Sequence, residues 1–149
     1  MIKQNDIITA INIVLVASYP DYKVYVQRCP KDFKRPSFLL ENVRTSRRDI
    51  NRTTVEKTVY FKITCFINVD EYYRSDTDAL SEIQEAVMQL FSVGHVIVGD
   101  RAIKVQSSTG GNEYDRAYVD LQFEYFDNRT DAADTMPLVA SVKTNLEEV

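Results

Sequence analysis

The residues best suited to catalysis or metal binding are few and far apart in this sequence. His95 is the sole histidine, and the only two cysteines, Cys29 and Cys65, are too distant in sequence to form the closely spaced pair typical of a zinc site. The chain contains neither a Gly-x-Ser-x-Gly motif nor a glycine-rich phosphate loop. We therefore expect no enzyme activity, no metal site and no cofactor.

Two pairs of carboxylates and one cysteine have simpler structural interpretations. Asp76/Asp78 and Glu82/Glu85 lie on the polar side of a predicted helix, where solvation and interaction with the helix dipole explain them. Cys65 continues the apolar face of a predicted strand, so we expect it to be a small buried side chain.

Charge is distributed unevenly along the chain. Residues 23–57 hold ten basic side chains against four acids, whereas residues 70–149 hold 16 acids against six bases. Opposite charges on two parts of one chain favour head-to-tail association of copies. Two solvated surfaces without a partner are the alternative.

Four arginines are concentrated in residues 44–56, a segment with no aromatic residue. They are Arg44, Arg47, Arg48 and Arg52. Such side chains could neutralise DNA phosphates without reading sequence, or pair with carboxylates of a neighbouring subunit. The sequence pI near 5.0 and the lack of aromatics for base stacking favour the protein contact.

Composition indicates one ordinary folded domain. The 149 residues are 44% apolar and 27% charged, and no apolar stretch approaches the roughly 18 residues needed to span a bilayer. The first six residues do not resemble a secretory signal, so we expect synthesis in the cytoplasm and no membrane partner.

Periodicity predicts an α+β fold in the order α-β-β-β-α-β-β. One helix is expected over residues 5–17, capped by Asn5 or Asp6, and a second opens with a capping box at residues 75–78 and is closed by Gly94. The strands are expected at residues 22–26, 37–43, 57–69, 101–106 and 117–127. Two helices on one face of a largely antiparallel sheet would form a two-layer sandwich.

The remaining segments are assigned less regular roles. Residues 44–56 are expected to be a long hairpin arm or a mobile loop, and the strand at 57–69 is expected to be central in the sheet. Gly110-Gly111 indicates a turn over residues 107–112. Residues 1–127 form the expected domain, and residues 128–149 are an extension or an arm that packs on a neighbour.

Two segments resemble a phage tail terminator family from phages and phage-derived elements of Gram-positive bacteria. They are Tyr19-Pro20-Asp21-Tyr22-Lys23-Val24-Tyr25 and Lys31-Asp32-Phe33-Lys34-Arg35-Pro36-Ser37-Phe38-Leu39-Leu40. The resemblance continues through the strand at 58–63, the helix at 79–91 and the hairpin segments at 98–101 and 119–125. The arginine-rich residues 44–56 and the tail after residue 127 depart from the family pattern.

The resemblance implies a structural virion protein without catalytic residues. Such a protein forms a hexameric ring on the tail tube, ends tube polymerisation and offers an attachment surface to the head connector or to the collar of a headless particle. In a contractile tail it would also contact the sheath. Its expected place is the head-proximal end of the tail. The alternative is a head-tail joining or neck protein that contacts DNA, at most non-specifically.

The resemblance also suggests roles within the matching Pro-x-Phe segment. Phe38 is expected to anchor its strand in the core, whereas Lys34 and Arg35 just before it are expected to meet a partner. Together with Arg44, Arg47, Arg48 and Arg52 they form the predicted interface set.

Overall fold

The computed structural model describes residues 2–72 and 74–128. In this part of the chain two helices and six strands follow one another. They are α1 (Gln4–Ser18), β1 (Lys23–Val26), β2 (Ser37–Asp49), β3 (Thr54–Phe66), α2 (Thr77–Leu90), β4 (His95–Val98), β5 (Arg101–Glu113) and β6 (Arg116–Asn128). The predicted tail lies almost wholly outside the described residues, so its role stays a prediction.

The six strands form one mixed sheet in the order β1-β2-β3-β6-β5-β4. The central position predicted for β3 is confirmed. The predicted strand count is wrong, because residues 95–98 pair with β5 and form the additional strand β4. The sheet is also not wholly antiparallel, since β1 runs parallel to β2, with Lys23 opposite Ser37.

The helices form where the apolar periodicity placed them, but their first turns differ from prediction. In α1 the residue before the helix is Lys3, and its N–H donates to the Asp6 carboxylate at 2.9 Å. In α2 the residue before the helix is Asp76 and not Ser75. The Ser75 hydroxyl donates to the carbonyl of Asn68 at 2.9 Å.

The structure differs in part from the predicted two-layer sandwich, because the two helices pack against different parts of the sheet. The sheet is curled. Helix α1 packs against β4 and α2, whereas α2 packs against β3, β5 and β6. Their apolar residues nevertheless join one core with the strands. No helix among the described residues is long and apolar enough to cross a membrane.

Alternating side chains give β3 and β6 one buried and one open face. Val59, Phe61, Ile63 and Cys65 of β3 are buried against the helices, opposite alternate apolar residues of β6. Burial of each large side chain contributes roughly 1.5–3 kcal/mol. The burial predicted for Cys65 and Phe38 is confirmed, since both are 0% exposed.

Two polar segments are more regular than the sequence indicated. Residues 44–56 are the outer part of the β2–β3 hairpin, so the hairpin prediction is confirmed and the mobile-loop alternative is wrong. The predicted turn at residues 107–112 is a bulge within β5, and the chain turns at residues 114–115. Gly110 lies so close to β6 that a Cβ there would lie 2.9 Å from the Cβ of Tyr118.

Candidate interaction surface

The outer part of the β2–β3 hairpin, residues 44–56, is called the arm from here on. Its four arginines are all exposed. Arg44 and Arg48 lie opposite Tyr60 and Glu56, on the sheet face away from the helices, which is called the open face. Arg47 lies opposite Lys57 on the other face. The sequence could not show this division, because it depends on a bulge between Asn42 and Arg44 that reverses the alternation of β2.

Short contacts hold three of these arginines against the arm or against Tyr60 beside it. Arg48 pairs with Glu56 at 3.1 Å, Arg47 lies 3.7 Å from the Asp49 carboxylate, and the Arg44 guanidinium stacks 4.2 Å from the Tyr60 ring centre. Because all three side chains are exposed, each contact contributes no more than about 1 kcal/mol. A partner carboxylate could therefore replace these contacts at little cost.

A groove of about 520 Å³ runs across the open face beside Arg44. Its polar lining combines both charges with amides and a phenol: Arg44, Tyr60, Lys62, Gln106, Asp120 and Gln122. A lining that offers donors, acceptors and both signs of charge suits a polar protein surface better than a uniformly negative phosphate backbone.

The other two predicted interface residues lie in the loop between β1 and β2. Lys34 is exposed, and its backbone N–H donates to the Tyr25 hydroxyl at 3.0 Å. The side chain of Arg35 is only 15% exposed and donates to the carbonyls of Ile67 and Asp115, each at 3.0 Å. It also pairs with the Asp115 carboxylate at 2.8 Å. These contacts give Arg35 a role within the fold, and its contact with a partner stays a prediction.

Asp115 is the centre of a cluster that the sequence did not reveal. Arg116 donates to its carboxylate at 2.9 Å, and this hydrogen bond, together with the Arg35 pair, lowers the pKa of Asp115. The rings of Phe33 and Phe66 lie 4.5 Å apart beneath the two guanidinium groups. We call Phe33, Arg35, Phe66, Asp115 and Arg116 the clamp. The sequence gives little signal for the clamp, because its members come from three segments that are distant along the chain.

A family model described as phage tail terminator protein matches residues 6–135. The chain belongs to the phage tail terminator family. No curated protein matches it. Membership places the chain among the structural proteins of the virion tail and implies contact with other tail proteins. The match includes the arm and the clamp, so both belong to the terminator domain.

The candidate catalytic groups are dispersed in the terminator domain. Cys65 is buried, which raises its pKa to about 12, and Cys29 lies in the β1–β2 loop. His95 is exposed at the start of β4. Within residues 2–72 and 74–128, no group of three His, Cys, Asp or Glu side chains could hold a metal ion. The structural character of the family agrees with this dispersion.

Proposed function

We propose that this terminator assembles into a ring of six subunits that caps the tail tube. The observation that carries the proposal is the family match over residues 6–135, which includes the whole sheet, α2 and all but the first two residues of α1. By occupying the site where the next tube subunit would add, the ring ends polymerisation. Binding to the tube end requires an interaction surface and no catalytic groups. The exposed arm and the open face are candidate surfaces of this kind.

Charge complementarity between copies supports the ring. The arm of one copy carries four exposed arginines, and the exposed side of α2 carries Asp78, Glu82 and Glu85, with Asp76 just before the helix. A contact between different surfaces of identical subunits is heterologous, and it forms a closed ring when the rotation between neighbours divides a full turn. Such a contact also orders the planar guanidinium groups against carboxylates.

The outer surfaces of the ring would then meet the other tail components. One face covers the tube, and the opposite face offers an attachment surface to the head connector, or to a collar in a headless particle. In a contractile tail the rim would also touch the last sheath ring. This arrangement places the protein at the head-proximal end of the tail.

The second candidate is a neck protein whose arm contacts DNA. The exposed arginines of the arm favour it, because each phosphate contact adds salt-dependent affinity. The contacts of Arg47 with Asp49 and of Arg48 with Glu56 count against it, since both carboxylates would repel phosphate.

The experiment replaces Arg44, Arg47, Arg48 and Arg52 with serine and measures folding and tube-end binding in parallel. We expect a melting temperature within a few degrees of wild type, because exposed charges contribute about 0–1 kcal/mol each. Electron microscopy of purified tubes should show caps with wild-type protein and bare ends with the variant. A matched control replaces four exposed bases outside the arm, Arg28, Lys31, Arg74 and Lys104, and should still cap.

Deletion of the gene separates the two candidate functions. A terminator deletion should give overlong or unfinished tails that are not joined to heads. Tails of normal length that lack heads would overturn the terminator role and support the neck protein. Normal capping by the serine variant would show that the arm is not the contact surface.

A further inference from the structure

The sheet has two unpaired stretches of strand edge, one on each side. β1 covers β2 only as far as Leu40, and β4 covers β5 only from Arg101 to Lys104. Among the described residues, no other strand pairs with the outer edges of residues 43–48 in β2 and 106–111 in β5. An exposed row of backbone donors and acceptors is a template for pairing with another chain.

The two free edges lie at opposite ends of the sheet and run in opposite directions. The free part of β2 lies level with the end of β6, where β4 covers β5, because Arg48 faces Glu56 and Glu56 faces Phe126. The free part of β5 lies level with the start of β2, where β1 covers β2. β2 and β6 run one way, and β3 and β5 run the other. A rotated copy placed beside β5 would therefore present its β2 edge antiparallel to it.

We propose that residues 106–111 of one copy pair with residues 43–48 of the next copy as an antiparallel ladder, with Ser46 opposite Ser108. This inference rests on the proposed ring and names the contact that builds it. Directly opposed residues must share a face, and Ser46 and Ser108 both lie on the open face, opposite Thr58 and Asp120 within their own sheets. The two free stretches are also of nearly equal length.

Charge at the two edges agrees with this pairing. The β2 edge contains Arg44, Arg47 and Arg48, whereas residues 106–111 of the β5 edge contain no base. The proposed register places Arg44 opposite Gly110, where both oxygens of the Asp120 carboxylate lie 3.1 Å from the position that a Cβ would take.

The offset between the two edges has a consequence for the shape of the ring. Each subunit would join the next with its strands displaced along the strand axis. A constant displacement around a closed sheet requires tilted strands, as in a barrel. Six subunits would then form one continuous sheet in which these two edges are no longer exposed.

The test places single cysteines on the two edges and asks whether they join neighbouring subunits. All variants carry Cys29→Ser, and the buried Cys65 is kept. The test protein carries Ser46→Cys and Ser108→Cys, and the control carries Ser46→Cys and Thr9→Cys, since Thr9 is exposed on α1. Both proteins are bound to tail tubes, oxidised mildly and separated under denaturing, non-reducing conditions.

We expect the test protein to form a ladder of covalent species up to the hexamer, and the control to remain mostly monomeric. Caps that are visible by electron microscopy without a ladder beyond the control would overturn the edge pairing and leave the terminator function standing. Absence of caps with the Cys29→Ser protein alone, together with normal tail lengths after gene deletion, would overturn both. A ladder equally strong in the control would also overturn the proposed register, because it would report random contact.

Discussion

The two long hairpins of the sheet end in opposite ways. The β5–β6 turn, at residues 114–115, is fastened to the molecule by Arg35, whose guanidinium bonds to Ile67 and Asp115. The arm at the other end of the sheet carries four of the ten arginines of the chain. These side chains are exposed, and three of them contact acids of the arm or the Tyr60 ring beside it. One residue type therefore serves the fold at one end and remains available to partners at the other.

The difference lies in the burial of the carboxylate that each arginine meets. Asp115 is 6% exposed at its side chain, whereas Glu56 and Asp49, the partners in the arm, are 32% and 56% exposed. Removing one member of a buried pair leaves an uncompensated charge, which costs several kcal/mol, while an exposed pair is worth little. The number of arginines in a segment of sequence does not distinguish a buried ion pair from an exposed one.

The largest expected effect on stability comes from Arg35→Ala. The substitution removes two hydrogen bonds to carbonyls and one ion pair, and it leaves Asp115 with Arg116 alone. We expect a loss of about 2–3 kcal/mol in the free energy of unfolding, measured by urea denaturation. Arg48→Ala is the matched control, since its pair with Glu56 is exposed, and it should lose less than about 1 kcal/mol.

Equal losses from both substitutions would contradict the comparison between the two hairpins. A small loss from Arg35→Ala with a failure of tube binding would support Arg35 as a member of the interface set. Lys34→Glu tests the neighbouring position separately, because Lys34 is exposed and should change binding without changing the unfolding free energy.

Sequence patterns predicted the parts of the fold in which one face is buried. α2 and β3 were found because Leu80, Ile83 and Val87, and then Val59 to Cys65, repeat at the spacing of a single buried face. The arm carries no such pattern, because most of its side chains are exposed on both faces of the hairpin. Only the backbone pairing of β2 with β3 in the structure shows that residues 44–56 form a hairpin and not a loop.

The missed clamp has a different cause. Its residues come from three separate segments, and only the fold brings Arg35 to Asp115. Likewise, Gly110-Gly111 is typical of a turn, but here it permits a bulge and a close approach to Tyr118. The parallel pairing of β1 with β2 is also non-local, so no run of residues indicated it.

Acid should weaken the clamp, because its ion pairs require the charged form of Asp115. The pKa of Asp115 lies below its ordinary value of 3.8, chiefly through the hydrogen bond from Arg116. A lowered pKa gives stability that is complete above the ordinary value and is lost as pH falls through the folded-state pKa. We expect the urea midpoint of wild type to fall as pH drops below about 4, and Asp115→Asn to show a shallower fall.

Asp127 also contributes to the pH dependence of stability in this range, so a variant at Asp127 is needed as a control. Burial raises its pKa, but backbone hydrogen bonds from Ile2 and Asn128 outweigh this, so the net shift is downward. The Asp127→Asn variant should therefore remove a second part of the acid dependence. If Asp115→Asn retains the full wild-type slope, the ion pairs of the clamp do not stabilise the fold in the way that the geometry indicates.

The smallest expected effect lies in the arm, where Arg44 stacks on Tyr60. A double-mutant cycle with Arg44→Ser and Tyr60→Leu should give a coupling free energy of about 0.5–1 kcal/mol, because the cation lies over the ring at an exposed site. In the assembled ring the same cycle should give a different value if a neighbour engages Arg44, since the guanidinium would then exchange part of its ring contact for a new partner. An unchanged coupling in monomer and ring would place Arg44 outside the interface and restrict the partner-facing arginines to Arg47, Arg48 and Arg52.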